Sequence, residues 1–189
     1  VFSASIGPAE RKGFWLIYGE EKNGKTWLSL RLAKDLAACE KVSYISAEEG
    51  TDDSFVQACK RAGITRADKI LIDEYLPFED IVAKFKKPRT SNIIFIDNLT
   101  RYVGDVKSKD ILYLMNELPH KLFVFIAHED RNKPYPASAR QAMKFAKVYI
   151  NVKGLKAFVV SRFASQQGEI VINEELSAMY WGAEQEEEL

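Results

Sequence analysis

Eight consecutive residues, Gly19-Glu20-Glu21-Lys22-Asn23-Gly24-Lys25-Thr26, satisfy the pattern GxxxxGK[ST], and Trp27 follows directly. Glycines let a backbone wrap closely around a phosphate, and the N–H groups that open the next helix point at the anion. Lys25 is placed to reach terminal phosphates, and Thr26 offers a hydroxyl to magnesium. With glycine usage near 7% on average, a chance match in a chain of this length has odds below about 1%. The loop interior is unusual: Glu20 and Glu21 set two carboxylates beside a phosphate site, and the extra glycine common in such loops is absent. Magnesium needs a further oxygen ligand, and Asp97, at the end of the apolar run Asn92 to Ile96, has the right context. Hydrolysis needs a group that orients or deprotonates water. Glu48 and Glu49, just beyond the segment Lys41 to Ser46, are both candidates, and spacing does not choose between them. These residues predict ATP and Mg2+ as ligands and an ATP hydrolase as the activity.

The elements that must hold these groups alternate between strand and helix patterns. Phe14 to Tyr18 is a short apolar run stopped by Gly19, and Leu28, Leu32 and Leu36 recur at helical spacing from Gly24 to Ala38. Strands are predicted at Lys41 to Ser46, Lys69 to Ile72, Asn92 to Ile96 and Leu122 to Ala127. Helices are predicted at Ser54 to Ala62, Phe78 to Phe85 (ended by the basic Lys86-Lys87-Pro88-Arg89), Ser108 to Leu118 with Ser108 as cap, and Ser138 to Ala146. The polar stretch His128 to Ser138, with two prolines, reads as a loop. Val148 to Val152, Ala157 to Val160 and Glu169 to Ile172 are closely spaced strands that suit antiparallel pairing, and Glu174 to Trp181 closes the chain as a helix. The fold class that follows is α/β: a mostly parallel central sheet, helices on both faces and antiparallel strands near the C-terminus. Tyr113, Met115, Phe123 and Phe125 read as core, and Cys39 and Cys59 as buried small hydrophobes.

Composition narrows the setting. The chain has 189 residues, 27 Lys+Arg against 27 Asp+Glu, and 47% apolar residues, which fits one domain, 1–189, with an acidic, flexible end at 183–189. No stretch approaches 18 continuous apolar residues, two cysteines make no disulfide framework, and no secretory leader is visible, so a cytoplasmic protein without a membrane partner is expected. Formal neutrality argues against holding nucleic acid by bulk positive charge.

In the order of these motifs the chain resembles the RecA-like P-loop ATPase core, and especially the bacterial RadA (Sms) repair ATPases and the DnaB-type replicative helicases. Ser46-Ala47-Glu48-Glu49 occupies the place of the RadA Gly-Glu-Glu-Ser segment, which puts the family's catalytic glutamate on Glu48. Ile96-Asp97-Asn98 matches the strand that ends in the magnesium aspartate. Ala127-His128 matches the Gly-His after the next strand, making His128 the implied γ-phosphate sensor. Val160-Ser161-Arg162-Phe163-Ala164 aligns with a Lys-Asn-Arg-Phe-Gly stretch, so Arg162 is the implied finger reaching a neighbouring subunit's nucleotide; the motif's lysine is replaced by Val160. The resemblance implies a homo-oligomer (a ring, typically a hexamer, or a filament), single-stranded DNA as partner, and a role with replication or repair proteins. The loops that would face DNA are Thr100 to Lys109, with Arg101, Lys107 and Lys109, and Glu129 to Ser138, with Arg131, Lys133 and Tyr135. Two alternatives stand beside the DNA-dependent ATPase: a slow, nucleotide-dependent regulatory or loader protein acting through a protein partner, and a nucleotide-binding member of the fold without turnover.

Overall fold

The computed structural model describes the backbone of residues 2–187 and the side chains of residues 2–183. The acidic end expected to be flexible lies, beyond Ala183, outside the described side chains. In chain order the elements are α1 (Phe2–Ile6), β1 (Gly13–Gly19), α2 (Lys25–Ala37), β2 (Val42–Ser46), α3 (Asp53–Arg61), β3 (Ile70–Asp73) and α4 (Phe78–Lys86). There follow β4 (Ile93–Asp97), a 3₁₀ turn (Leu99–Tyr102), α5 (Ser108–Glu117), β5 (Leu122–Asp130), β6 (Lys133–Tyr135) and α6 (Ala137–Phe145). The chain closes with β7 (Ala146–Lys153), β8 (Lys156–Ser161), β9 (Gly168–Val171) and α7 (Glu174–Glu187).

Among the described residues all nine strands join one sheet in the order β3-β2-β4-β5-β1-β7-β8-β9, with β6 paired to the end of β5. From β3 to β7 every neighbour is parallel, and β8 and β9 add antiparallel strands at one edge. The expected α/β architecture is therefore present. The apolar runs are uninterrupted because both faces of the sheet are covered. Along β1, Trp15 and Ile17 join one core, with Tyr44, Phe95, Leu28 and Phe55. Phe14, Leu16 and Tyr18 join the other, with Phe85, Phe123, Phe125 and Ile111. Among the described residues no helix is long and apolar enough to cross a membrane.

Four expectations are corrected. The stretch after His128 is not a loop: β5 continues to Asp130 and returns through Lys133–Tyr135 as a β-hairpin, with Glu129 opposite Pro134. Its turn residues Arg131 and Asn132 both have positive φ, 50° and 59°, which suits the right-handed twist of the paired strands. Ser108 is the first helical residue rather than the cap; the N-cap is Lys107, whose backbone N–H donates to the Asp110 carboxylate at 2.8 Å. Cys39 is exposed at the end of α2, and only Cys59 is buried. Tyr113 also lies outside the core, 44% exposed under the Lys86 ammonium.

Candidate functional site

The parallel strands deliver their carboxyl ends to one edge, the place where open α/β sheets bind ligands. β1 ends at Gly19, β2 leads through Ala47 into Glu48 and Glu49, β4 ends at Asp97, and β5 carries His128. Between them lies a hollow of about 630 Å³, walled by the phosphate loop, by α3 and by Leu155 and Leu176. The glycines of the loop are required where they stand. A Cβ on Gly19 would lie 2.1 Å from the Val152 carbonyl oxygen, because β1 and β7 run side by side there. Gly24 caps α2 with φ 93°, a left-handed conformation that costs any other residue more.

Lys25 is 8% exposed, and its ammonium donates to the Glu20 carbonyl oxygen at 2.6 Å. Burial lowers its pKa, while Asp97, Glu48, Glu21 and Glu129 push the other way. Asp97 is 6% exposed and accepts the Tyr44 hydroxyl at 2.6 Å; Thr26 makes a second hydrogen bond to it. Burial raises its pKa to about 6, with Glu48 and Glu49 adding repulsion and the Tyr44 and Thr26 bonds opposing the shift. Tyr44 is itself held 2.7 Å from the Ser29 hydroxyl, and Ser29 donates to the Thr26 carbonyl at 2.8 Å. One buried network thus ties the first turn of α2 to β2 and β4.

A second network lies at the mouth. His128 has Nδ1 3.3 Å from a Glu21 oxygen and Nε2 3.6 Å from a Glu48 oxygen. Asn98 donates to the same Glu48 oxygen at 2.9 Å. Glu49 accepts from Ser54 at 3.1 Å instead and stays outside this group. On the other flank, Asn23 accepts the Gly154 N–H at 2.7 Å, and Trp27 is partly buried against the core. Glu20, Glu21 and Lys22 line the loop between the two glycines, with both glutamates exposed.

The structure thus assembles Lys25, Thr26, Asp97, Glu48 and His128 around one hollow. It does not bring Arg162 there. Arg162 follows β8, whose end pairs with the start of β7, and its N–H donates to the Lys147 carbonyl at 2.9 Å at the opposite end of the sheet. The residues proposed for DNA fall into two groups. Arg101, which lies over Tyr75 at 5.5 Å, and Tyr135 line one recess together with Glu21, Glu48 and Glu129, and Arg131 and Lys133 sit on the same hairpin as Tyr135; Lys107 and Lys109 begin α5. Sequence reasoning missed Tyr44, Ser29 and Asn98. The only signal for Ser29 was a hydroxyl on a helix face otherwise lined by Leu28, Leu32 and Ala33, and Tyr44 carried none, because β2 also holds Ser43 and Ser46.

The donor set suits a nucleotide carried with its metal. Carboxylates Glu21, Glu48, Glu49 and Asp97 outnumber Lys22, Lys25 and Arg61 around the hollow, so bare phosphate meets a negative wall. Among the described residues no group of three His, Cys, Asp or Glu side chains forms a metal site of its own. Magnesium keeps waters and phosphate oxygens and needs only one or two protein oxygens, which Thr26 and Asp97 could supply.

Sheet order, phosphate loop and carboxyl-edge hollow together define a RecA-like P-loop NTPase fold. Within that class the chain belongs to the inactive STAND family, whose family model matches residues 2–120. Comparison with curated proteins finds no match. Among solved structures, a KaiC-like protein, PH0186, from Pyrococcus horikoshii OT3 is 14% identical, with a TM-score of 0.64 over 90% of this chain and 88% of that one. The flagellar accessory protein FlaH from Methanocaldococcus jannaschii is 15% identical, with a TM-score of 0.59 over 93% and 85%. A third solved chain, an ATPase domain, is 15% identical, with a TM-score of 0.60 over 89% and 84%. At these identities the likeness is one of fold, and 450 solved chains match, so the fold alone assigns no task.

Family membership corrects the expected activity: the family is described as inactive, so the chain is not assigned as an ATP hydrolase. The physical reason an intact motif misleads is that Lys25, Thr26 and Asp97 are binding groups. Turnover also requires a poised water and a cation on the departing phosphate. Around the hollow the cations are Lys22, Lys25 and Arg61, and Glu48, the candidate for orienting water, is engaged by His128 and Asn98.

Proposed function

We propose that this protein is a nucleotide-binding regulatory domain that takes Mg-ATP or Mg-ADP without hydrolysing ATP and acts through a protein partner. The observation that carries this reading is the buried Asp97–Tyr44–Ser29 network, which ties the magnesium carboxylate to the first turn of the phosphate-loop helix. A buried carboxylate that faces Lys25 and bonds Thr26 suits a ligand that brings a divalent cation. Magnesium bound with a nucleotide neutralises phosphate charge and shapes the ligand. The chain's own residues would hold it: loop N–H groups and Lys25 would bind phosphate oxygens, and Thr26 and Asp97 would offer oxygens to the metal. Glu48 and His128, tied to each other and to Glu21 and Asn98, fix the mouth of the pocket.

A protein partner is preferred over single-stranded DNA because acids interleave the cations proposed for DNA: Glu21, Glu48 and Glu129 line the recess of Arg101 and Tyr135. Glu129 and Asp130 lie on the same hairpin as Arg131 and Lys133, and the whole chain is neutral. Arg162 can reach a nucleotide only across a boundary between copies, so any part it plays requires self-assembly. Titration calorimetry with Mg-ATP and Mg-ADP tests the reading. Micromolar binding is expected, weakened by at least about tenfold (~1.4 kcal/mol) in Lys25→Ala. Phosphate release should not exceed that of the same variant. Absence of binding to both nucleotides, or release well above the Lys25→Ala level, would overturn the proposal.

A further inference from the structure

A second hollow, of about 400 Å³, opens at the opposite end of the sheet, where the α4–β4 and α5–β5 connections meet. Phe85 and Leu118 form its floor, 1% and 7% exposed, and Pro88 and Pro119 stand on its rim. Around them are Lys86, Lys87, Arg89, His120 and Lys121. The one acid of the lining, Glu117, is taken by Lys86 at 2.5 Å. Lys121 turns inward and donates to the Thr90 hydroxyl at 3.0 Å and the Ser91 carbonyl at 2.9 Å, so its charge is held in place without a carboxylate. Burial lowers its pKa, and no neighbouring acid opposes the shift. Lys87, Arg89 and His120 are exposed and make no ion pair among the described residues.

This excess is local. In a chain with equal numbers of acids and bases, this lining sets four Lys or Arg side chains and His120 against the single acid Glu117. Arg89 also holds φ 64°, a left-handed conformation that is unfavourable for a side-chain-bearing residue. A turn needed only for its shape is served better by glycine or asparagine. An arginine there adds a charged fork with nothing on its own chain to bind.

We propose that this hollow is a docking site for an acidic polypeptide segment that carries an apolar anchor residue. The anchor packs on Pro88 and Pro119, both exposed above the buried Phe85 and Leu118, and flanking carboxylates meet Arg89, Lys87 and His120. An apolar floor inside a polar rim is the usual build of a protein interface. Arginine also pairs with carboxylate through two parallel hydrogen bonds. Nucleic acid fits less well. Stacking bases need an open aromatic face, whereas Phe85 is buried and the Tyr113 ring lies 5.7 Å under the Lys86 ammonium. The hollow lies at the start of β4 and β5, and the nucleotide pocket lies at their ends, so both sites can be filled together.

Fluorescence anisotropy on the full chain tests the assignment. The probe is a labelled peptide of alternating glutamates around a central Leu-Phe pair. A glutamine version of the peptide and a labelled single-stranded oligonucleotide serve as comparators. Binding of the acidic peptide is expected, weakened by raised salt and reduced by at least about tenfold in the double variant Lys87→Glu, Arg89→Glu. Arg89→Gly, which suits the left-handed turn, should lose affinity while keeping or raising the melting temperature. Either no peptide binding or equal binding by wild type and variants overturns the proposal. Tighter binding of the oligonucleotide, lost in the same variants, also overturns it and reassigns the surface to nucleic acid.

Discussion

Asp97 shows what one residue gives up to be ready for a metal. Its carboxylate is held by Tyr44 and Thr26, yet burial still pushes its pKa from 3.8 up to about 6. Because the folded value lies above the unfolded one, the folded state binds more protons between about pH 4 and pH 6. Stability from this group therefore falls as pH rises through that window, and above it the ionised side chain is a net cost to the nucleotide-free fold. Two pKa units correspond to about 3 kcal/mol. Asp97→Asn keeps an acceptor for Tyr44 and removes the charge. The variant is expected to unfold at higher urea than wild type at pH 7.5, by about 1–3 kcal/mol, with little gain near pH 4, and to lose affinity for Mg-nucleotides. Lower stability than wild type at pH 7.5 would show that the buried charge is better compensated than its surroundings indicate.

At the scale of elements, the hairpin after His128 offers a direct test. Arg131 and Asn132 occupy the two positive-φ positions of its turn, where Asn-Gly is favoured. Replacing Arg131 with Asn and Asn132 with Gly is expected to raise stability by about 1 kcal/mol in chemical denaturation, with the hairpin retained. A loss of stability would mean that Arg131 contributes contacts its exposed position does not reveal. This hairpin was also the element least legible in the sequence: its prolines and charges mimic a loop, and a three-residue partner strand leaves no periodicity. The short α1 was missed because five residues make little more than one turn. The covered strands were legible because burial on both faces forces continuous apolar runs, as in Phe14 to Tyr18 and Leu122 to Ala127. The same division holds within the site. Lys25 and Thr26 are read from spacing along one segment, and Asp97 from its place at a strand end. Tyr44 serves Asp97 because β2 and β4 pair with Tyr44 opposite Phe95 and Ser46 opposite Asp97. That relation belongs to sheet register, which linear spacing does not encode.

For the whole molecule, the central issue is how a complete phosphate loop and a family described as inactive fit one chain. Binding and turnover separate physically, because a ligand favouring the folded state stabilises it whether or not chemistry follows. At a hundredfold excess over Kd, bound nucleotide contributes about 2.7 kcal/mol. For a chain of this size each kcal/mol moves the melting temperature by roughly 2–4 °C. A rise of about 5–10 °C is therefore expected with saturating Mg-ATP, absent with EDTA and absent in Lys25→Ala. Time distinguishes a regulator from a slow enzyme. Incubating the protein with a small molar excess of Mg-ATP for hours, then scanning and assaying the nucleotide by chromatography, should leave the shift unchanged and the ATP intact. ADP accumulating in step with protein concentration, and absent in Lys25→Ala, would return the molecule to the hydrolases.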